Sequence, residues 1–256
     1  MIPKTIHYCW FGRNPKPSLA NKCIKSWKKY CPDYEIIEWN EDNFDISSAP
    51  LYVRQAYEAK KWAFVTDYVR LWAMTEFGGI YMDTDVEVLR PLDEFLDNEA
   101  FSGFENEISV PTGIMACRKG YPLFVELMSF YDTALFVNPD GSLNIDTNVV
   151  TITGMCLKHG LQQNGKFQQI KGFTLYPRDV FCPLDYATGK MYKTDATATI
   201  HWFSGSWHSA YEKKRRQKEL WDARIHRMTR PLNRIGRKIL SDKVYYKIRD
   251  LIAGKK

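Results

Sequence analysis

The spacing of apolar residues at the start of the chain predicts a strand, a helix and a second strand. Runs rich in apolar and β-branched residues predict strands over Lys4–Trp10 and Tyr34–Trp39. Between them, Ser18 can cap a helix that Pro32 stops. The apolar stripe of this helix has helical spacing and consists of Leu19, Cys23, Ile24, Trp27 and Cys31. A strand–helix–strand order favours a parallel sheet.

The pattern continues with two helices and a third strand. Residues 50–60 are predicted to be helical, and a second helix is expected from about Lys61 to Phe77. Gly78-Gly79 then supplies a left-handed stop, because glycine adopts positive φ without steric cost. The strand Ile80–Asp83 follows at once. The short connection predicts that this helix and this strand are neighbours.

Beyond Pro91 the pattern is less regular. A helix is expected over Pro122–Tyr131, and residues 146–159 predict either a helix or a strand–helix pair. With 256 residues, of which 45% are hydrophobic, the chain is long enough for one globular domain with a full core. We therefore predict the α/β class with a mostly parallel central sheet.

Cysteine usage and the lack of long apolar runs favour a cytoplasmic protein. The six cysteines are scattered with no Cys-x-x-Cys pair, which argues against a disulfide scaffold or a zinc ribbon. The start, Met-Ile-Pro-Lys-Thr, lacks the charged region and the long apolar core of a signal peptide. No stretch approaches the roughly 20 apolar residues that a membrane helix needs.

Positive charge is concentrated at the end of the chain. Residues 212–256 hold 16 Lys/Arg and 5 Asp/Glu, whereas residues 1–211 hold 20 and 25. We therefore predict a domain over 1–211 and a basic, amphipathic helical tail over 212–256, whose apolar side includes Leu220, Trp221, Ile225 and Met228. Such a tail either docks on an anionic membrane surface, at the cytoplasmic face of the inner membrane, or packs on the domain as a solvated helix. The acidic body argues against nucleic acid as a partner.

Asp83 and Asp85 are the most informative residues of the sequence. They are separated by one residue after a short apolar run, so in an extended segment both project to the same side, as does Tyr81. Two carboxylates this close repel unless one is protonated or a cation lies between them. A hard divalent cation such as Mg²⁺ or Mn²⁺ accepts these oxygens and keeps coordination positions for phosphate. The pair therefore predicts a metal–diphosphate site.

Two other interpretations of this pair stay open. It could be a solvated acidic turn, because a short motif alone is a weak signal. It could also belong to a phosphatase of the haloacid dehalogenase type, which uses Asp-x-Asp-x-Thr/Val with the first Asp as nucleophile. Glu87 stands where that pattern has Thr or Val, and such a motif normally opens the chain. The phosphatase interpretation is therefore the weaker one.

Asp67 and Arg70 lie three residues apart on the helix before this motif and share one face. One interpretation is a surface ion pair of little energetic value. However, the Gly-Gly connection returns the chain directly into the acidic strand, so helix and strand should border one cleft. There, a carboxylate could hold sugar hydroxyls and a guanidinium could hold a diphosphate.

Three blocks of the sequence together resemble glycosyltransferase family 32. They are Ile-Pro-Lys-Thr-Ile-His-Tyr-Cys-Trp (2–10), Ala-Phe-Val-Thr-Asp-Tyr-Val-Arg (63–70) and Phe-Gly-Gly-Ile-Tyr-Met-Asp-Thr-Asp (77–85). The ordered combination is far more specific than any one block, and the resemblance covers roughly residues 1–210. The family groups with capsular-polysaccharide sugar transferases and is related to glucosylating clostridial toxins. The resemblance implies a GT-A-like fold, a nucleotide-sugar donor and retention of the anomeric configuration.

Carried across by position, the resemblance also assigns roles to residues of the donor site. Trp10 would stack on the nucleobase, for which a core aromatic is the alternative, and Tyr81 would line the donor pocket. The residues that would act directly on the donor are Asp67 and Arg70, for the sugar and the diphosphate, and Asp83 and Asp85, for the nucleotide and the metal.

Residues late in the chain would complete the predicted site. Related retaining transferases place a His there as a third metal ligand, followed by a Gly and a Trp near the diphosphate. This resemblance makes His201 a metal ligand, with His208 as a rival, and it makes Ser206 and Trp207 donor-site residues. A histidine that only packs in an aromatic loop is the alternative. Asn148 is a weaker donor-site candidate by similar position.

We therefore predict an enzyme that moves a sugar from a nucleotide-diphosphate donor to a glycan acceptor, assisted by Mn²⁺ or Mg²⁺. A UDP-sugar is expected as the donor in preference to a GDP-sugar. The expected setting is the synthesis of bacterial capsule, O-antigen or another surface polysaccharide, where the acceptor could be lipid-linked. The metal, Arg70 and His201 would stabilise charge on the leaving diphosphate, and no residue is identified as a nucleophile. The alternatives are a metal-dependent phosphatase or phosphotransferase that uses Asp83 and a non-enzymatic membrane-binding protein.

Overall fold

A seven-stranded sheet organises the part of the chain that the computed structural model describes, residues 1–205 and Lys218. Its strands are β1 (Thr5–Cys9), β2 (Glu35–Trp39), β3 (Gly79–Met82), β5 (Ala100–Gly103), β6 (Ile114–Cys117), β7 (Gln168–Ile170) and β8 (Phe173–Tyr176). A separate two-stranded sheet pairs β4 (Val86–Val88) with β9 (Thr199–His201). The helices are α1 (Ser18–Tyr30), α2 (Leu51–Glu58), α3 (Trp62–Phe77), α4 (Pro122–Ser129), α5 (Asn148–Lys158) and the single turn α6 (Arg178–Phe181).

The strand order of the large sheet is β2-β1-β3-β6-β5-β8-β7. Strand β1 pairs in parallel with β2 and β3, and β5 pairs in parallel with β8. Strand β6 is antiparallel to both of its neighbours, and β7 is antiparallel to β8. Five of the seven strands therefore run in one direction, which confirms the predicted α/β class with a mostly parallel sheet.

Most of the expected elements in the first half of the chain form within one or two residues of their predicted bounds. Helix α1 begins one residue earlier than expected. Pro17 occupies the cap position with extended backbone angles, and Ser18 is already helical, so the predicted serine cap is wrong. For residues 146–159 the sequence predicted either a helix or a strand–helix pair. The structure has a single helix there, Asn148–Lys158.

Alternation along the strands divides the core between the two faces of the sheet. On β3, Tyr81 belongs to the cluster that helices α2, α3, α4 and α5 cover, whereas Ile80 and Met82 belong to the cluster beneath α1 and α6. Trp27 of α1 is fully buried and donates its indole N–H to the Val86 carbonyl at 2.7 Å. Because Val86 begins β4, this bond ties α1 to the segment that follows the acidic pair.

Two glycines allow α3 to run directly into β3. Gly78 ends the helix with φ of 70°, and Gly79 opens the strand with φ of 107°. A Cβ at Gly79 would also lie 2.6 Å from the Thr5 carbonyl oxygen of β1. The predicted Gly-Gly stop is therefore confirmed, and its second glycine is required by the close approach of two strands as well.

All of the elements named above lie in one unit that comprises Met1–Asp185 and Met191–Trp207. The predicted domain boundary at residue 211, the basic tail over 212–256, and the candidates Ser206, Trp207 and His208 lie outside the described residues. Among the helices of the described part, none combines the length and the apolar character needed to span a bilayer.

Candidate active site

Asp83 and Asp85 lie at the carboxyl end of β3, where the chain turns. The Asp83 N–H donates to the Gly113 carbonyl at 2.8 Å, and the Val86 N–H closes a turn on the Asp83 carbonyl at 2.9 Å. Thr84 and Asp85 form this turn, so the expectation of an extended segment through Asp85 is wrong. A turn rather than strand alternation brings the two carboxylates close together.

His201 joins the two carboxylates through the small sheet. Strand β9 pairs antiparallel with β4, which places His201 opposite Val86. The His201 Nε2 atom lies 3.2 Å from Asp85 Oδ1. Ligand atoms of Asp83, Asp85 and His201 all lie within 4.8 Å of one another. The predicted grouping of these three residues, which we call the Asp-Asp-His triad, is therefore present in the structure.

The chemistry of the triad fits a divalent cation. Two carboxylate oxygens and one imidazole nitrogen are ligands that Mn²⁺ accepts, and Mg²⁺ accepts the oxygens. Hydrogen bonds and the charge of His201 hold the pKa of Asp85 well below its usual value, although burial opposes them. The pKa of His201 is raised because Asp85 outweighs the effect of burial.

Arg70 connects the triad to helix α3. Its Nη2 atom lies 3.2 Å from Asp67 Oδ1 and 3.4 Å from Asp83 Oδ1, and its Nη1 donates to the Thr112 carbonyl at 2.9 Å. The side chain of Arg70 is only 6% exposed. The alternative of a surface ion pair between Asp67 and Arg70 is therefore wrong, because a buried cation is balanced here by two carboxylates.

Tyr81 supports Asp83 from beneath. Its ring is buried, its hydroxyl donates to Asp83 Oδ1 at 2.9 Å, and the Arg70 guanidinium lies 4.8 Å from the ring centroid. Burial raises the pKa of Asp83, while the charge of Arg70 opposes that shift. Tyr81 and Arg70 together fix the orientation of this carboxylate.

Asp67 and Asn148 form a buried network between α3 and α5. The Asn148 side-chain amide donates to the Asp67 carbonyl at 2.6 Å, and its backbone N–H lies 3.4 Å from Asp67 Oδ2. The Tyr131 hydroxyl donates to Asn148 Oδ1 at 2.6 Å. Burial raises the pKa of Asp67 to about 6, although Arg70 opposes the shift. The contacts that the sequence predicts between these two residues and a donor stay predictions.

Trp10 lies at the carboxyl end of β1, the parallel neighbour of β3. Its indole N–H donates to the Asn14 carbonyl at 2.6 Å. It is half-buried and borders a surface cavity of about 260 Å³, which is also lined by Arg13, Asn14, Lys16, Glu38, Asn40, Glu41 and Asp42. Because β1 and β3 run in the same direction, this cavity and the triad share one edge of the sheet.

Several residues of the site escaped prediction from the sequence. A Cβ at Gly113 would lie 2.7 Å from His201 Nδ1, so only glycine leaves room for the imidazole. The Ser204 N–H donates to Asp85 Oδ2 at 2.7 Å. Glu105 lies close enough to His201 for the charge of His201 to lower the pKa of the Glu105 carboxyl. These contacts depend on close approach between distant segments, and the one local signal was the glycine just before the apolar run at 114–117.

Comparison with known proteins supports the predicted class. Residues 17–102 match the family described as a glycosyltransferase sugar-binding region containing a DXD motif. A curated relative, inositol phosphoceramide mannosyltransferase 3 of Schizosaccharomyces pombe, is 29% identical over 131 residues, which are 50% of this chain and 36% of that protein. The chain thus covers about a third of the length of this relative.

Solved structures with some likeness to the chain are also glycosyltransferases by their descriptions. PaToxG glycosyltransferase is 19% identical with a TM-score of 0.42, over 50% of this chain and 59% of that one. The galactosyltransferase LgtC, solved in complex with donor and acceptor sugar analogs, is 16% identical with a TM-score of 0.42, over 85% and 95% of the two chains.

The likeness to glycosyltransferases lies in the matched region, which contains part of the site. The family match includes α1, α3 and the Asp83-Thr-Asp85 motif, which the structure combines with His201 on a mostly parallel α/β sheet. In this region the chain is similar to glycosyltransferase sugar-binding regions that contain a DXD motif, which is the class that the sequence predicts.

Proposed function

We propose that this protein transfers a sugar from a nucleotide-diphosphate donor to a glycan acceptor. The observation that carries the proposal is the Asp-Asp-His triad, which lies beside the buried Arg70 at the carboxyl edge of the sheet. The cavity at Trp10 lies on the neighbouring strand of the same edge. A nucleotide whose base reaches Trp10 and whose diphosphate reaches the triad would span these two features.

The residues of the chain have distinct tasks in such a reaction. Breaking the bond between sugar and phosphate leaves negative charge on the nucleoside diphosphate. Asp83, Asp85 and His201 would hold Mn²⁺ or Mg²⁺, which supplies Lewis-acid stabilisation of that charge. Arg70 is already fixed by Asp67, Asp83 and the Thr112 carbonyl, so its charge needs no reorganisation when the leaving group forms.

Finer features of the proposal come from the family resemblance. We propose retention of anomeric configuration, a UDP-sugar donor and a role in bacterial capsule, O-antigen or other surface-polysaccharide synthesis. A cytoplasmic protein whose basic tail docks at the inner membrane would suit a lipid-linked acceptor.

The phosphatase alternative is not favoured by the contacts of Asp83. Its Oδ1 atom accepts a hydrogen bond from Tyr81 and lies beside the Arg70 guanidinium, and both contacts lower the nucleophilicity of a carboxylate. Glu87 is held by Lys22 and by the Trp202 indole, each at 2.9 Å from Oε2.

The test of this function is the variant Asp85→Asn, assayed for nucleoside diphosphate release from a panel of nucleotide sugars with Mn²⁺. We expect the wild-type protein to release UDP or GDP and the variant to lose at least about a hundredfold in rate, because the amide cannot supply the charge that the cation needs. Phosphate release instead would support the phosphatase alternative.

A matched control is Asp97→Asn, which changes an exposed aspartate outside the triad. It should retain wild-type activity. Full activity in Asp85→Asn, with folding verified by circular dichroism and thermal unfolding, would overturn the proposed site.

A further inference from the structure

A second polar group lies at the same edge of the sheet, on the side of the triad away from Trp10. Strands β5 and β8 run parallel to each other and in the direction of β3, so their carboxyl ends share its edge. Glu105 follows β5 by two residues, and Arg178 follows β8 by two residues. The order along the edge is therefore Trp10, the triad, Glu105 and Arg178.

A turn holds the backbone of Glu105 in place. Its N–H donates to the Ser109 carbonyl at 3.1 Å, and Asn106 Oδ1 accepts the N–H groups of Ile108 and Ser109 at 2.8 and 2.9 Å. The side chain is partly exposed, and His201 and Arg178 are both close enough to lower its pKa, although burial raises that pKa overall. Among residues 1–205, the structure records no hydrogen bond to this carboxylate.

Arg178 has hydrogen-bonding capacity that the described residues do not use. Its Nη1 donates to Asp185 Oδ2 at 3.1 Å, and the Tyr192 ring lies 4.8 Å from its Cζ. Its Nε and Nη2 atoms are shielded from water and find no acceptor within the described part of the chain. Arg178 is half-buried, so donors that lack an acceptor are costly there, and a nearby carboxylate is the group that best compensates for them.

We infer that Glu105 binds the hydroxyl groups of a sugar during transfer, and that the charge of Arg178 positions its carboxylate. The inference rests on the proposed function, which places the nucleotide between Trp10 and the triad and leaves this end of the edge to a sugar. A carboxylate that lacks donors matches the hydroxyl groups of a saccharide, which supply them. The sugar is either the acceptor, which must approach the donor from a side that the nucleotide leaves open, or the transferred sugar itself.

Two binding constants, measured for the variant Glu105→Gln, show whether the bound sugar is the acceptor or the transferred sugar. The donor constant is the KM for hydrolysis of whichever nucleotide sugar the wild-type protein consumes. The acceptor constant is the affinity for methyl glycosides of glucose, galactose and mannose, measured by saturation-transfer NMR with UDP and Mn²⁺ present. We expect the acceptor constant to weaken at least about tenfold more than the donor KM, since a hydrogen bond to a charged group is lost.

The outcomes separate this inference from the proposed function. A tenfold rise confined to the donor KM would support the subsite and assign it to the transferred sugar. No change in either constant, including the case in which no glycoside binds, would overturn the inference alone. A wild-type protein that consumes no donor would overturn both proposals. Glu107→Gln is the matched control, because Glu107 is exposed in the same loop.

Arg178 is tested as a positioning residue. Arg178→Met should weaken the same constant as Glu105→Gln, and Arg178→Lys should restore part of that loss because it keeps the charge. An equal loss in both constants together with a lower Tm would show that Arg178 only stabilises the fold, and would remove it from the inference.

Discussion

At the scale of single residues, the site depends on side chains that never need to touch a substrate. Tyr81 is buried, yet its hydroxyl is one of two groups that orient Asp83. Residues that orient metal ligands typically change metal affinity by 10- to 100-fold when they are mutated. A variant of Tyr81 therefore measures how much the orientation of Asp83 contributes to metal binding, without removing a metal ligand.

We expect Tyr81→Phe to fold and to bind Mn²⁺ about tenfold more weakly than the wild-type protein. The variant loses one hydrogen bond, worth about 1 kcal/mol of stability, while the ring continues to fill the core. Isothermal titration with Mn²⁺ and thermal unfolding measure the two effects.

Tyr121→Phe is the control for this variant. Tyr121 is equally buried and donates its hydroxyl to the Lys171 carbonyl at 2.6 Å, outside the triad. It should lose similar stability and keep wild-type metal affinity. Equal metal affinity in the two variants would contradict the role given to Tyr81.

At the scale of elements, His201 reaches the triad only because two sheets approach closely. Strand β9 pairs with β4, and the start of β6 passes the imidazole at Gly113. A methyl group at position 113 would lie within 2.8 Å of two ring atoms of His201, so the ring or the strand must move. A shift of either would separate His201 from Asp85.

We therefore expect Gly113→Ala to lose about 1–3 kcal/mol of stability through overpacking and also to weaken Mn²⁺ binding. Thermal unfolding and metal titration measure these losses. Gly154→Ala is the control, since a Cβ there meets no atom within 4 Å inside α5. It should be neutral or stabilising by up to about 1 kcal/mol. Wild-type metal affinity in Gly113→Ala would show that His201 is not a ligand.

Elements with strong periodicity could be predicted from the sequence, but their junctions could not. Apolar runs and helical spacing predicted β1, β2 and α3 close to their observed bounds, and Gly78-Gly79 predicted where α3 stops. Local pattern carries no information on the antiparallel insertion of β6, which places Gly113 beside His201. The prediction of an extended segment through Asp85 was also wrong, because a turn can bring two carboxylates to one side just as a strand does.

At the residue level the same limit applies to the candidate site. Asp83 and Asp85 were predicted from their spacing and charge, and the family resemblance added His201. Glu105 was missed because nothing in its local sequence marks it; its place beside His201 results from the order of strands in the sheet. Arg178 was missed for the same reason.

At the scale of the whole molecule, the charges of the site predict that a diphosphate binds only together with a cation. Residues 1–211 hold 20 basic and 25 acidic residues, and the site itself places Asp67 and Asp83 beside Arg70 and Asp85 beside His201. A nucleoside diphosphate that approaches these carboxylates is repelled unless a divalent cation reverses the local charge. Metal and nucleotide binding should therefore be coupled.

Thermal unfolding with UDP, with Mn²⁺ and with both ligands tests this coupling. A ligand at 100 times its Kd stabilises the folded state by about 2.7 kcal/mol, which raises the Tm of a domain of this size by roughly 5–10 °C. We expect that shift for UDP with Mn²⁺ and little shift for UDP with EDTA. In Asp85→Asn the shift with both ligands should fall to the level seen with EDTA. If UDP stabilises the wild-type protein equally with and without the metal, the diphosphate binds elsewhere than at the triad, because carboxylates without a cation cannot attract it.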